Sequence, residues 1–426
     1  MTRFFELHAH PYIKIHNLPY LANAFQAYTY NGPHWNPLAF RYQYRNLRRS
    51  PVKVLTNTHY VIERDFARHG VKLPLQLLLG LVSPRRGLRL LTIDPWKSLL
   101  QQIDGLEQAI INTNRLNVLG GPRLKLVTKF ADIATLAEDE IAVLHAVEGP
   151  HVLGSESDNE PDVEQLWERA KKRLHYLSER GVYMLTLAHF WDQPFAPQTD
   201  SCELVPKVEN GRVVRGRDDT MATMKRATWK WGQHNDLGER LLREMFDIGM
   251  IADLSHVQEH ARFAMYEIAQ ECRRPVVLSH VGLKHFYEHE YNVSDDELRR
   301  LHALGGVVGL IISKRLLMEP IKLYEDDGNG IPLLVDNMRH AADVTGDVSV
   351  LGIGTDFDGL THPFRDCYNP SHLPRIAEAM TKYFSDDEID AIFYGNAMRV
   401  TEAGWGAQPA RAAKAKTRRA RASAAS

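Results

Sequence analysis

The sequence predicts a parallel α/β barrel on three observations. Short apolar runs recur along the chain, charged segments with helical spacing lie between them, and run after run ends on histidine or a carboxylate. Strand and helix alternating at intervals of roughly 25 to 45 residues is the pattern of a parallel sheet wrapped by crossover helices. A length of 426 residues with 44% hydrophobic content is ample for a large core.

Taken in order, the first strand is Phe4 to Leu7, leading into His8 and His10. EIAVLHAVEG (140–149), VYMLTLAH (182–189), GMIADLSH (249–256), RPVVLSH (274–280), GGVVGLII (305–312) and SVLGIGTDFDG (349–359) read as six more buried strands. A closed barrel needs eight, and the remaining one is expected between residues 96 and 130, with RLKLVTKF the best stretch. Helices fill the gaps. DVEQLWERAKKRLHYLSERG stops at Gly181 and LGERLLREMFDIG at Gly249, both as C-terminal caps. SDDELRRLHALGG starts at the N-cap Ser294 with acids in its first turn, and Ser385 caps a final helix through DDEIDAIFYGNAMRV. The fold class is therefore α/β, a TIM-like (β/α)8 barrel spanning residues 1–405.

Residues 12 to 95 break this rhythm. They are rich in Tyr, Asn, Pro and Arg, and read as a long insertion after the first strand, a lid over the same barrel end as His8 and His10. Residues 190 to 230 form a second irregular excursion. Residues 406–426 read as a basic, Ala-rich, disordered tail with no apolar stripe. The formal net charge of -1 averages over that tail, and without it the body is about seven units negative. Such a body offers no phosphate-tracking surface, which argues against nucleic acid as a partner. Three scattered cysteines, Cys202, Cys272 and Cys367, propose neither a disulfide framework nor a thiolate metal site. The first residues show no secretory apolar core, and no run approaches a membrane span. The expectation is a cytoplasmic protein without a membrane anchor.

The strand ends carry the chemistry. His8 and His10 stand at i and i+2, on one face of a strand. Later strands end at Glu148, His189, His256, His280, Asp356 and Asp358. In a parallel barrel all strand C-termini open on one face, so residues some 350 positions apart are brought together. One strand-end histidine is ordinarily satisfied by a nearby carbonyl, and the chain has 20 histidines. The repeated endings DLSH and VLSH, the HxH pair, a strand-end Glu and a strand-end Asp are together a metal-ligand pattern. Imidazole and carboxylate without thiolate suit zinc, and also manganese, cobalt or iron. Glu148 has the two oxygens needed to bridge a pair of divalent ions, whose shared water loses a proton near neutral pH. Asp356 is then the proton-handling acid and base.

These motifs resemble the renal or membrane dipeptidase family, peptidase family M19, within the amidohydrolase-like barrels. The similar stretches run from about Asp94 to Val400: AVEGPH (146–151), YMLTLAH (183–189), LGERLLREMFDIGMIADLSHV (237–257), RPVVLSHV (274–281), NVSDDELRRLHALGGVVGL (292–310), GIGTDFDG (352–359) and GNAMRV (395–400). The resemblance implies a barrel with two zinc ions that cleaves dipeptides. It implies that His8 and residue 10 hold one ion, that Glu148 bridges, and that His256 and His280 hold the other. It implies His189 as the histidine that touches substrate and stabilises the tetrahedral intermediate, Asp356 as the catalytic aspartate, and a homodimer as one assembly. Asp358 would orient its loop. Two positions depart from the family pattern. The family has H-x-D where this chain has His10, which removes one negative charge. It also has an arginine for the substrate carboxylate where this chain has Tyr291, a neutral phenol that cannot form a bidentate charged pair. Lys284 is one residue able to take over that contact. The expected activity is dipeptide hydrolysis. The alternatives are a related amidohydrolase acting on another amide, a lactone or an ester, and a non-catalytic metal-binding protein.

Overall fold

The computed structural model describes residues 3–12, 39–63, 94–115, 120–154, 162–191, 193–199, 207–209, 212–214, 231, 236–319, 328–359 and 361–406. Eight parallel strands follow one another around a barrel: β1 (Phe4–Ala9), β2 (Val52–Tyr60), β4 (Glu140–Glu148), β5 (Val182–Thr186), β6 (Ile251–Asp253), β7 (Val277–Val281), β8 (Val307–Leu310) and β9 (Leu351–Ile353). A ninth, β3 (Arg123–Leu126), pairs only with β4 and stands off this path. The ring closes between β1 and the end of β9. His10 N–H donates to the Phe357 carbonyl and Asp356 N–H to the His8 carbonyl, each at 2.9 Å.

The eighth strand corrects the sequence reading. It is Val52–Tyr60, in register with both β1 and β4, and so it interrupts what reads as one excursion from 12 to 95. Arg123–Leu126 is a strand but not a barrel stave. The expected lid falls on residues 13–38 and 64–93, outside the described residues, as does the tail from 407 onward. Most of the 190–230 excursion is outside them too, apart from residues 190–191 and 193–199 and a hairpin of Lys207–Glu209 with Arg212–Val214.

Two apolar layers hold the barrel. Inside and below the mouth lie Phe5, Leu7, Val54, Leu144, Ala146, Met184, Ile251, Val277 and Val307. Between strands and helices lies a larger layer that includes Val143, Val147, Leu185, Leu278, Val308 and Leu310. Alternate residues of β4 divide between the two, as a strand of period two buried on both faces requires.

The outer ring contains α1 (Pro95–Arg115), α2 (Val163–Glu179), α3 (Leu237–Ile248), α4 (Glu259–Cys272), α5 (Asp295–Ala303), α6 (Ile331–Thr345) and α7 (Leu373–Met380). Its ends follow the local sequence. Gly249 ends α3 in the left-handed conformation at φ 71°, where glycine has no Cβ penalty. Ser294 and Glu297 form a capping box at the start of α5. Ser385 and Glu388 do the same for α8 (Asp386–Asp390), which continues through a π-helical turn into α9 (Asn396–Gly404). Among the described residues no helix is long and apolar enough to cross a membrane.

Candidate metal centre and active site

The strands deliver their polar ends to one buried cluster at the mouth. The Nε2 atoms of His8 and His10 lie 3.1 Å apart, and those of His256 and His280 also 3.1 Å apart. Two nitrogens at about 2.05 Å from one tetrahedral ion stand roughly 3.3 Å apart, so each pair has the spacing of ligands sharing a metal. Glu148 lies between the pairs. Its Oε1 is 3.4 Å from His8, 3.3 Å from His256 and 3.6 Å from His280, while its Oε2 is 3.5 Å from His10 and 3.4 Å from His189 Nε2. Asp356 Oδ1 is 3.3 Å from His10 Nε2. Every residue expected at the site from its place at a strand end is therefore within this cluster or beside it.

Local backbone geometry explains the convergence. His256, Asp356 and Asp358 adopt positive φ values of 66°, 52° and 70°. Left-handed backbone is costly for residues with a Cβ, on the order of 1–3 kcal/mol each. Here it turns the chain sharply at the ends of β6 and β9 and throws these side chains into the mouth. Close strand contact also needs glycine: a Cβ at Gly354 would lie 1.8 Å from the Ser279 carbonyl and 3.3 Å from His8 Cβ.

The rings of His8, His10 and His280 are each fixed by a hydrogen-bond partner rather than left as free polar groups. Asp253 accepts from Thr186 Oγ1, from the backbone N–H and hydroxyl of Ser255, and from the backbone N–H and hydroxyl of Ser279. Its oxygens are thereby occupied, which makes it a buttress although it lies near His8 and His280. With its own proton given to Asp253 at 2.6 Å, Ser279 Oγ accepts from Nδ1 of His8 at 3.0 Å and of His280 at 2.8 Å. His10 Nδ1 donates to the Thr58 carbonyl at 3.0 Å. In His8 and His280 Nδ1 thus carries the hydrogen and Nε2 presents its lone pair to the cluster, the tautomer a metal requires, and in His10 Nδ1 also carries a hydrogen.

Electrostatics agree for most of the set. Burial, with the neighbouring imidazoles, holds His8 and His280 well below the ordinary histidine range. Burial brings His256 down to about 4 and also lowers His189. A lowered proton affinity suits His8, His256 and His280 to ligation, which needs the neutral ring. His10 differs. Burial opposes its charge, but its hydrogen bond to Asp356 and the charge of Glu148 outweigh that and raise it. Asp356 is itself raised by burial, with Glu148 adding to the shift. Four imidazoles and a carboxylate with matched spacing fit a divalent metal centre.

Tyr291 is 1% exposed, with its ring centroid 5.0 Å from His256 and 6.1 Å from His280. Its hydroxyl donates to the His280 carbonyl at 2.5 Å. It faces the ligand histidines, with its polar atom directed to their backbone. Lys284 pairs with Glu259 at 2.6 Å and with Glu288 at 3.4 Å. Asp358 accepts the backbone N–H groups of Arg41 and Tyr42, which fastens the segment before β2 to the barrel mouth. Sequence reasoning missed Asp253, Ser279 and Glu63. The serine was legible in the repeated LSH endings. Glu63 carried no signal, because the strand before it was not recognised.

The fold and the cluster together define a (β/α)8 barrel with a histidine–carboxylate centre for divalent metal. Residues 217–413 match the family model of membrane dipeptidase (peptidase family M19). Dipeptidase tcpJ of Claviceps purpurea is 27% identical over 70% of this chain and 58% of its own length. The crystal structure of a dipeptidase described as a family M19 metallopeptidase superposes with a TM-score of 0.65 at 17% identity, covering 96% of this chain and 100% of that one. A Rhodobacter sphaeroides metallopeptidase, solved with a phosphinate mimic of the dipeptide L-Ala-D-Ala, gives a TM-score of 0.63 at 15% identity over 95% of this chain and 99% of its own. Over residues 217–413 the chain is thus similar to the membrane dipeptidase family, peptidase family M19, and its fold is that of the solved M19 structures. It spans less than two thirds of the length of the curated relatives it matches.

Proposed function

We propose that the protein is a metal-dependent hydrolase that cleaves dipeptides. The observation that carries this reading is the pairing of His8 with His10 and of His256 with His280 about one carboxylate, Glu148, with Asp356 alongside. His8 and His10 would hold one ion and His256 and His280 a second, with Glu148 between them and zinc the expected metal. When bound, the ions would supply a nucleophilic hydroxide at neutral pH and polarise the scissile carbonyl.

The remaining work falls to side chains. Asp356 accepts a proton from the attacking water and returns it to the leaving amine. Its burial beside Glu148 raises its proton affinity, which suits a group that must both take and give a proton. His189, with Nε2 turned toward Glu148, would donate to the substrate carbonyl oxygen as charge develops there in its doubly protonated form, which the Glu63 and Glu148 carboxylates favour. Tyr291 braces the His280 backbone and walls the pocket near the substrate.

The second reading, a related amidohydrolase acting on another amide, a lactone or an ester, draws on one observation. Lys284 is already paired with acids, and by the family resemblance Tyr291 stands where a carboxylate-binding arginine is expected. A panel of free dipeptides, carboxylate-blocked dipeptides, N-acyl amino acids and lactones, tested on metal-replete protein, separates the two. Dipeptidase activity predicts turnover of free dipeptides above all others. Preference for blocked substrates or lactones would favour the second reading.

A further inference from the structure

Glu63 lies just beyond β2, in a part of the chain that hardly resembles the family, and it is 2% exposed. Its Oε1 accepts from His189 Nδ1 at 3.1 Å and from the Phe190 backbone N–H at 3.1 Å. Its Oε2 accepts the Tyr60 hydroxyl at 2.7 Å. The Tyr60 ring packs on His189 with centroids 4.3 Å apart, and the Phe190 ring covers His189 at 3.6 Å. His189 is thus gripped at one nitrogen and stacked, while its other nitrogen stands 3.4 Å from Glu148 Oε2.

We propose that Glu63 is the positioning residue for His189: its carboxylate holds a hydrogen on Nδ1 and fixes the ring plane, so that a proton bound at Nε2 is the one turned to the reacting carbonyl. The inference rests on the hydrolase reading for its catalytic consequence, though not for the tautomer. A carboxylate oxygen facing a ring nitrogen only accepts, so Nδ1 must carry the hydrogen. A histidine oriented by a third group is a recurring arrangement in acyl transfer. Here burial alone would favour the protonated acid, but His189 and the Tyr60 hydroxyl hold Glu63 ionised, down to about 2. The same oxygen fixes the turn at Phe190, so ring and backbone are set together.

The test is a double-mutant cycle with a tautomer measurement beside it. Glu63→Gln keeps the shape and removes the charge. It should lower kcat by about 10- to 100-fold with KM changed less than about threefold. In a His189→Ala background the same change should cost less than about twofold, because the residue through which it acts is gone. Tyr60→Phe, a milder change at the surface of the same carboxylate, should repeat the pattern at smaller size and serves if Glu63→Gln fails to fold. Nitrogen-15 spectra of histidine-labelled protein should show His189 with its hydrogen on Nδ1 in the parent. An equal loss of activity from Glu63→Gln in both backgrounds, or a parent His189 with its hydrogen on Nε2 alone, would overturn the proposal. Should the parent hydrolyse no dipeptide, the function proposed above fails, and the tautomer measurement still decides the role of Glu63.

Discussion

The two histidine pairs have the same 3.1 Å spacing and opposite electrostatics. His256 and His280 come from the ends of two strands, and burial lowers both. His8 and His10 come from one strand, and within that pair His10 is raised by Asp356 and Glu148 while His8 is lowered. One side of the centre is a neutral nitrogen site backed by Ser279 and Asp253. On the other, His10 lies 3.3 Å from Asp356, the carboxylate proposed to move protons, and that contact raises its proton affinity. The contrast assigns holding mainly to the first side and chemistry mainly to the second.

The sharpest way to break this division is Asp356→Asn. The amide keeps the shape and cannot carry the proton, so kcat should fall by about 10²- to 10⁴-fold while metal content stays near the parent value. Elemental analysis and steady-state kinetics on one preparation check it. Activity within a few-fold of the parent would move the proton transfer elsewhere.

Next in size is Ser279→Ala. Removing the hydroxyl frees Nδ1 of both His8 and His280 and leaves Asp253 one donor short. Loss of such a supporting bond typically costs about 10- to 100-fold in metal affinity. Because Ser279 serves one ring of each pair, competition with a chromophoric chelator should show both sites weakened. Weakening of one alone would show that the two sides are not coupled through this residue.

The pH dependence separates the pairs. His10 has a raised folded-state pKa, so it binds a proton more readily than a free histidine, and metal affinity on its side falls as pH drops through that value, by up to about tenfold per unit. His256, at about 4, gains its proton only in stronger acid. Metal titrations between pH 7.5 and 5, a window chosen around roughly the histidine range, should therefore show one ion leaving before the other. Tyr291→Phe should have the smallest effect. It removes one hydrogen bond to the His280 carbonyl and should lower stability by about 0.5 to 1.5 kcal/mol, measurable by denaturant unfolding.

Much of this was legible in the chain because most strand ends repeat one device, an apolar run closed by a ligand-type side chain. The strands from Glu140 to Ile353 announced themselves because they are buried on both faces and read as continuous apolar runs. Val52–Tyr60 did not, because its second half is Thr56, Asn57, Thr58, His59. Those residues are buried, and two of them meet distant partners: Thr56 meets the Tyr183 hydroxyl at 2.7 Å, and His59 meets His145 at 2.9 Å on the opposite face. A polar strand satisfied by distant partners has no local signature. Arg123–Leu126 misled for the converse reason, since an apolar alternation suits an outlying strand as well as a barrel stave. Glu63 was hidden with β2, and its role is visible only through the fold.

Metal stoichiometry tests the central claim most directly. Protein saturated with zinc and freed of excess should retain about two equivalents per chain, one for each histidine pair, and Glu148→Gln should reduce that number. A parent stoichiometry that stays at one under saturating metal would contradict the paired centre and leave Glu148 a ligand to a single ion.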